Sequence, residues 1–314
     1  MRNRALFLGT TLVALLAAST APAQSGTPFD LARGLRSQGH ADLAQQYLDH
    51  LKPKLTGDNL VLFTLEQARV NLDLAEQEPD ESTKLGFLAA AKTEFENFIK
   101  NAPTHPQRPQ ANLDLARLIA ASAREAVGRA RRKAGDNREA EIVKARTGFR
   151  DAGKRLDEAG KAAESLLSSA GDALQKNALR AIVFQSKLEQ GITTIYEGQS
   201  YSDEKDIRKR GQLISDAKKQ LQALQKEVGD DPIKWVVDTW ITRCDDINQL
   251  PLDDIKKAYD KIIADKSPES LAGRRLASYF RIRLVFEKDT APKSYTDTIT
   301  LTNAWLGTYP AYRN

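Results

Sequence analysis

The chain is short of most of what an enzyme site or a disulfide-stapled domain is built from. It holds one cysteine, Cys244, in 314 residues, which excludes an internal disulfide framework. Its three histidines, His40, His50 and His105, have no other ligand-type residue three or four positions away, so no helical metal site is written into it. Glycines occur singly and form no phosphate-cradling loop. Aromatic residues make up only 7%. Proline is absent between Gln110 and Asp231; an internal proline costs a helix about 3 kcal/mol, so this gap permits long helices. The formal net charge of +5 is small for a polyanion binder, which usually carries a larger and clustered excess.

The one conspicuous apolar run lies at the start, in "MRNRALFLGTTLVALLAASTAPAQS". Arg2 and Arg4 form a positive head, Ala5 to Ala18 an apolar stretch, and Ala21-Pro22-Ala23 a small-residue cleavage site. This pattern predicts a secretory signal peptide over residues 1–23. The run is shorter than the ~20 residues a helix needs to span a bilayer. No cysteine follows it to carry a lipid. The expectation is therefore export, periplasmic or extracellular, with no stable membrane anchor once the signal is cleaved.

What is abundant is Ala, Leu, Lys, Glu, Asp, Gln and Arg, with charged residues at 28%. That composition favours helix. The apolar spacing agrees. Val61, Leu65, Ala68, Leu72 and Ala75 step by four and three, and so do Leu85, Leu88, Ala91, Phe95 and Phe98. Almost no stretch alternates with the period of a strand; "TITLT", Thr298 to Thr302, is the nearest and reads as a weak helix start. In the middle, Leu113, Ala116, Ala120, Ala123, Val127, Ala130 and Ala134 lead to the turn signal Gly135-Asp136-Asn137. Ile142, Ala145, Phe149, Ala152, Leu156, Ala159, Ala163, Leu166 and Ala170 follow. Two long helices about a short turn predict an antiparallel hairpin. Alanine buries little area, so this rod needs a third helix or a partner. Third and fourth helices are expected over Leu174–Ile195 and Ile207–Val228, then shorter ones after Pro232. Ser267-Pro268-Glu269 reads as a helix start with Ser267 as its cap.

One element recurs: Ala44-x3-Leu48-x2-Leu51, Ala91-x3-Phe95-x2-Phe98, Ala145-x3-Phe149-x2-Ala152 and Ala217-x3-Leu221-x2-Leu224. A small residue, then a large one, then an apolar one suits a helix that a neighbour approaches closely. The element resembles the second helix of a tetratricopeptide repeat, whose pattern includes A-x3-F and a closing proline; Pro103 follows Ala91 at the family's distance. Leu31, Ala32, Leu35 and Gly39 stand where the family's first helix has its own signature. The resemblance is firmest over Pro28 to His105. No unit has the family's tryptophan, and the recurring alanines lie further apart than its ~34-residue period. The resemblance implies an all-α solenoid of helical hairpins, a right-handed superhelix whose concave face binds peptides or proteins. The expected organisation is a signal peptide (1–23), tetratricopeptide-like hairpins (24–108), long-helix hairpins (109–230) and shorter hairpins (231–314).

Catalysis is not written into this pattern, and no cofactor or metal is expected. Cys244 lies on an apolar face between Trp240 and Ile247 and reads as a buried, inert thiol rather than a nucleophile. Asp230-Asp231, Asp245-Asp246 and Asp253-Asp254 stand near helix ends and read as exposed, where Asp253 and Asp254 suit the positive end of a helix dipole. The one local excess of charge is Arg124 to Arg155, with Arg129, Arg131, Arg132 and Lys133 clustered before the turn. Two readings stay open. One is a solvated hairpin tip whose cations favour a helix C-terminus. The other is a contact with an acidic partner, an anionic membrane surface or an acidic wall polymer. Nucleic acid is not expected, because the basic stretch interleaves no aromatics.

The chain closes on "NAWLGTYPAYRN" without a polar capping helix. Solenoids normally need such a cap. The expectation is either a partner seated on Trp305 and Tyr309 or a chain shorter than its relatives. The function expected first is an exported, non-catalytic scaffold or adaptor binding proteins in the cell envelope. A self-associating coiled-coil component comes second, and an all-helical polysaccharide-acting enzyme third. A toroidal lyase would need a clustered His, Tyr and Arg that the sequence does not assemble.

Overall fold

The computed structural model describes residues 27–132, 137–288 and 294–309. The signal-peptide expectation for 1–23, and Lys133 of the basic cluster, lie outside them. The described residues hold twelve α-helices and no strand: α1 (Asp30–Ser37), α2 (Ala41–Leu51), α3 (Asp58–Gln77), α4 (Glu81–Asn101), α5 (Arg108–Arg132), α6 (Asn137–Leu167), α7 (Ala173–Ser200), α8 (Ile207–Val228), α9 (Lys234–Ile247), α10 (Leu252–Ala264), α11 (Leu271–Lys288) and α12 (Ser294–Thr308). None of these is long and apolar enough to cross a membrane. Helices adjacent in sequence pack on one another throughout, most extensively α5 on α6 and α6 on α7.

Local chemistry sets the ends. Asp80 caps α4, its carboxylate accepting from the Thr83 amide at 2.8 Å. Asp172 does the same for α7 through Gln175 at 2.7 Å. Each satisfies an amide that the first helical turn leaves unpaired. Gly39 makes the turn between α1 and α2 at φ 81°, a conformation open to glycine at little cost. Ser267 departs from expectation. Its hydroxyl donates to the Asp265 carboxylate at 2.5 Å, it makes no side-chain cap, and a 3-10 turn over Pro268–Ser270 precedes α11. "TITLT" lies inside α12 rather than at its start. Asn137 of the expected turn is the first residue of α6.

The recurring triple falls on α2, α4, α6 and α8, one in each even-numbered helix to that point. Leu51 is half-buried and every other member is buried. A fifth triple, Ile255, Tyr259 and Ile262 of α10, has the same spacing and the same burial. Its first position is large, so the small-residue signature passed over it.

The alanine seam of α5 faces α6. Leu113 and Ala116 share a core with Leu156, Ala159 and Ala163, while Ala123 and Val127 share another with Ala145 and Phe149. A Cβ placed on Gly148 would stand 3.1 Å from the Ala123 methyl, so the two backbones run close. The third helix that the seam needs is α7, which adds Leu179, Ile182 and Val183. Beyond α8 the core changes character. Trp240, Tyr259 and Phe280 join α9, α10 and α11, with Trp240 edge-on to Phe280 at 5.1 Å.

Candidate functional site

The helices border a cavity of about 950 Å³. Its lining comes mostly from the odd-numbered helices: Leu72 and Glu76 of α3, the outer face of α5, Tyr196 and Gln199 of α7, Ile247 of α9, and Tyr279, Phe280 and Arg283 of α11. Lys84 and Leu88 of α4 and Arg210 of α8 complete it.

Helix α5 forms the longest wall. Asp114, Arg117, Ala121, Arg124, Gly128 and Arg131 all line the cavity and step by three and four. This second stripe runs one residue ahead of the alanine seam. One face of α5 therefore packs on α6 while the next presents arginines separated by small residues. At 1.5 Å per residue the three arginines stand about 10 Å apart along the helix.

The lining carries seven basic side chains, Lys84, Arg117, Arg124, Arg131, Arg132, Arg210 and Arg283, against three acidic ones, Glu76, Asp114 and Glu125. Two of the acids face cations outside the lining: Asp114 lies 3.7 Å from Arg69, and Glu125 lies 3.5 Å from Arg129. Burial, and then the like charge of Asp73, raise the Glu76 carboxyl above the usual range, which favours its neutral form. The cations divide into two groups. Arg117 pairs with Glu189 at 3.2 Å and Arg283 with Glu287 at 2.5 Å. Arg124 instead lies over the Tyr196 ring at 5.0 Å and donates to its hydroxyl. Arg131 donates to the Gln199 carbonyl at 2.5 Å. Among the described residues, no carboxylate stands within ion-pair distance of Arg124, Arg131 or Arg210. Desolvation, and then the like charge of Arg138, hold Arg131 below the ordinary guanidinium range; an anion beside it would relieve that penalty.

The structure divides the residues singled out in the sequence. Arg131 and Arg132 line the cavity. Arg129 does not; it lies between Glu81 at 3.8 Å and Glu125 at 3.5 Å. Successive arginines of α5 thus point to different sides, with Arg131 and Arg132 exposed beside the cavity. At the far end, the Trp305 indole donates to the Arg275 carbonyl at 3.3 Å and its ring tilts on Tyr309 at 5.7 Å. Both are half-buried and neither lines the cavity.

The lining contains no histidine and no cysteine. The only serine in it held by neighbours, Ser200, is buried, donating to the Glu197 carbonyl and accepting from Arg146. Ser122 and Glu125 also line the cavity, three positions apart on α5. Elsewhere, Cys244 is fully buried and its thiol is pushed up to about 12, by burial first and then by Asp245. His105 packs edge-on to Phe98 at 5.3 Å, and its Nδ1 accepts from the Gln107 amide. Among the described residues no group of three or more His, Cys, Asp or Glu side chains could hold a metal ion.

Asp246 corrects the reading of the acidic pairs as exposed. It is fully buried, bonded to Arg243, and 2.5 Å from the Lys288 ammonium. The reason is that α9 is packed by α8, α10 and α11, which leaves it little solvent face. A carboxylate so held is a structural anchor.

No family model matches the chain, and no curated protein matches it either.

Proposed function

We propose that this chain is an exported, non-catalytic adaptor of the cell envelope that holds another protein in the cavity bordered by α3 to α11. The observation that carries the reading is the lining itself. Residues as distant in sequence as Leu72 and Arg283 converge on one concavity, while the repeated triples of the even-numbered helices are spent on packing. That division of labour suits a solenoid of antiparallel helical hairpins, tetratricopeptide-like over 24–108, lengthened over 109–230 and shorter over 231–314. In this reading α5 and α6 are the long central hairpin and the cavity is the concave face. A catalytic role has less support, since the lining holds no histidine and no cysteine and its basic side chains outnumber its acidic ones.

The self-associating reading has one observation in its favour. Phe286, Tyr295 and Ile299 leave an apolar surface near the last two helices, each more than 60% exposed. The alanine seam is a poorer candidate for that role, because α6 and α7 already bury it within the chain.

The test is affinity capture by Gln24–Asn314 from an envelope extract, with light scattering on the bait. A saturable protein partner on a monomeric bait is the expected result. A self-associated bait without a partner would move the function to the structural reading. N-terminal sequencing of the protein recovered from the envelope checks export, with a start near Gln24 expected.

A further inference from the structure

We infer that the cavity takes an acidic peptide segment of its partner, with carboxylates on Arg124, Arg131 and Arg210 and apolar side chains on the floor between them. The inference rests on the adaptor reading and names the chemistry of the segment held. Arg124 and Arg131 belong to α5, Arg210 to α8, and all three line one cavity. None has a carboxylate partner among the described residues. Several arginines elsewhere are held by carboxylates. Arg33, Arg36 and Arg69 all converge on the buried Glu66, and Arg243 sits on Asp246. Three guanidinium groups without carboxylates that converge on one concavity mark where outside carboxylates belong.

The floor selects a peptide over other polyanions. Leu72, Leu88 and Ile247 are half-buried apolar residues in the lining. They suit the alternate side chains of an acidic segment that also carries leucine or valine. A bilayer is a flat surface and meets only the rim of a concavity between helices. Single-stranded nucleic acid would need open aromatic faces on which to stack. Here Phe149 and Phe280 are 2% and 3% exposed and Arg124 covers the Tyr196 ring, which leaves the half-buried Tyr279 as a single stacking face in the lining. The cavity volume lies near the top of the ~300–1,000 Å³ of ordinary ligand sites, which accommodates a short segment rather than a folded domain. Residues 1–26 and 310–314 contain Arg2, Arg4 and Arg313 and no acidic residue. A second copy is also net positive, +5 over the full chain and +3 without Arg2 and Arg4, and so offers no excess of carboxylates.

Fluorescence anisotropy with labelled peptides of equal length tests this. One repeats Glu-Leu-Glu-Ala, and two others replace each Glu by Gln or by Lys; an oligothymidine serves as a competing polyanion. Saturable, salt-sensitive binding of the Glu peptide alone is expected. The combined variant Arg124→Glu, Arg131→Glu, Arg210→Glu should weaken it about a hundredfold, at roughly fivefold for each exposed ion pair. The same three positions changed to Lys should retain it. Ala121→Phe, which keeps every charge but fills the α5 wall, should weaken it too. Circular dichroism melts show that each variant is folded. Equal binding of the Gln peptide, or unchanged affinity in the folded Glu variant, would overturn the inference. Tighter binding of oligothymidine than of the Glu peptide would assign the cavity to nucleic acid instead and overturn it as well. The two readings fail separately. An envelope partner captured equally by the wild type and the Glu variant sinks the acidic segment and leaves the adaptor. Peptide binding with no envelope partner does the reverse.

Discussion

The middle of the molecule and its C-terminal part hold their helices together in opposite ways. Between α5, α6 and α7 the contacts are made by alanines such as Ala116, Ala123, Ala152 and Ala159, all buried. Each methyl removes little surface from water, so cohesion comes from close backbones and length. Between α9, α10 and α11 the contacts are made by Trp240, Tyr259 and Phe280, with Arg243 lying over the Phe280 ring at 5.2 Å. Charge is divided differently. The middle places Arg117, Arg124 and Arg131 of α5 on the cavity wall and buries Arg146 of α6 against Ser200 and Glu139. The C-terminal part draws Arg243 and Asp246 inside as a pair. Thin seams let backbones run close, and bulky cores join the last helices through large side chains.

The comparison breaks most sharply at Asp246. Asp246→Ala leaves Arg243 buried and Lys288 without its carboxylate, and should cost about 3–5 kcal/mol in chemical denaturation. Phe280→Ala, which opens a cavity among Trp240, Tyr259 and Tyr279, should cost a similar ~3–5 kcal/mol. In the middle the sensitivity reverses, because the danger there is excess volume. Ala159→Leu pushes into the core of Leu113, Ala116 and Leu179 and should cost about 1–3 kcal/mol. A loss as large as that of Phe280→Ala would mean that the two regions pack alike. Asp172→Ala, which removes the cap of α7, should cost about 1 kcal/mol.

The smallest effect is a pH dependence at His105. Burial holds its pKa below the ordinary 6.5, with Asp58 partly opposing. The unfolded chain therefore takes up the proton first. Stability should fall as pH drops below that ordinary value and level off below the folded one. His105→Gln should flatten this part of the profile of melting temperature against pH.

Much of this architecture was legible in the sequence, because helix and packing share one period. The seams from Leu113 to Ala130 and from Ile142 to Ala163 could be read directly, and so could four of the five triples. Tyr259 and its neighbours were missed because the recurring element was defined by a small first residue, and α10 starts with Ile255. The cavity was half legible. Arg131 and Arg132 stood out as a cluster, but a cluster along the chain is scattered around a helix, which is how Arg129 came to face Glu81 and Glu125 instead. The stripe of Arg117, Arg124 and Arg131 obeys the same three-four rule as the seam and was hidden only because polar residues were not traced for period. Arg210 and Arg283 could not be joined to it, since only tertiary packing brings α8 and α11 to the wall of α5. Asp246 was misread for the same reason: a neighbour on every side is invisible in a single helix.

The measurement that bears most directly on the account is a paired capture from an envelope extract. Gln24–Asn314 serves as one bait, and the same chain with Arg124→Glu, Arg131→Glu and Arg210→Glu as the other. The second bait gives up the Arg124 contact with the Tyr196 ring and the Arg131 bond to the Gln199 carbonyl, so circular dichroism first checks that both baits are folded. The account predicts a saturable partner on the first bait that is lost from the second and that carries an acidic segment competed by the Glu-Leu-Glu-Ala peptide. Identical partners on both baits, indifferent to that peptide, would contradict it.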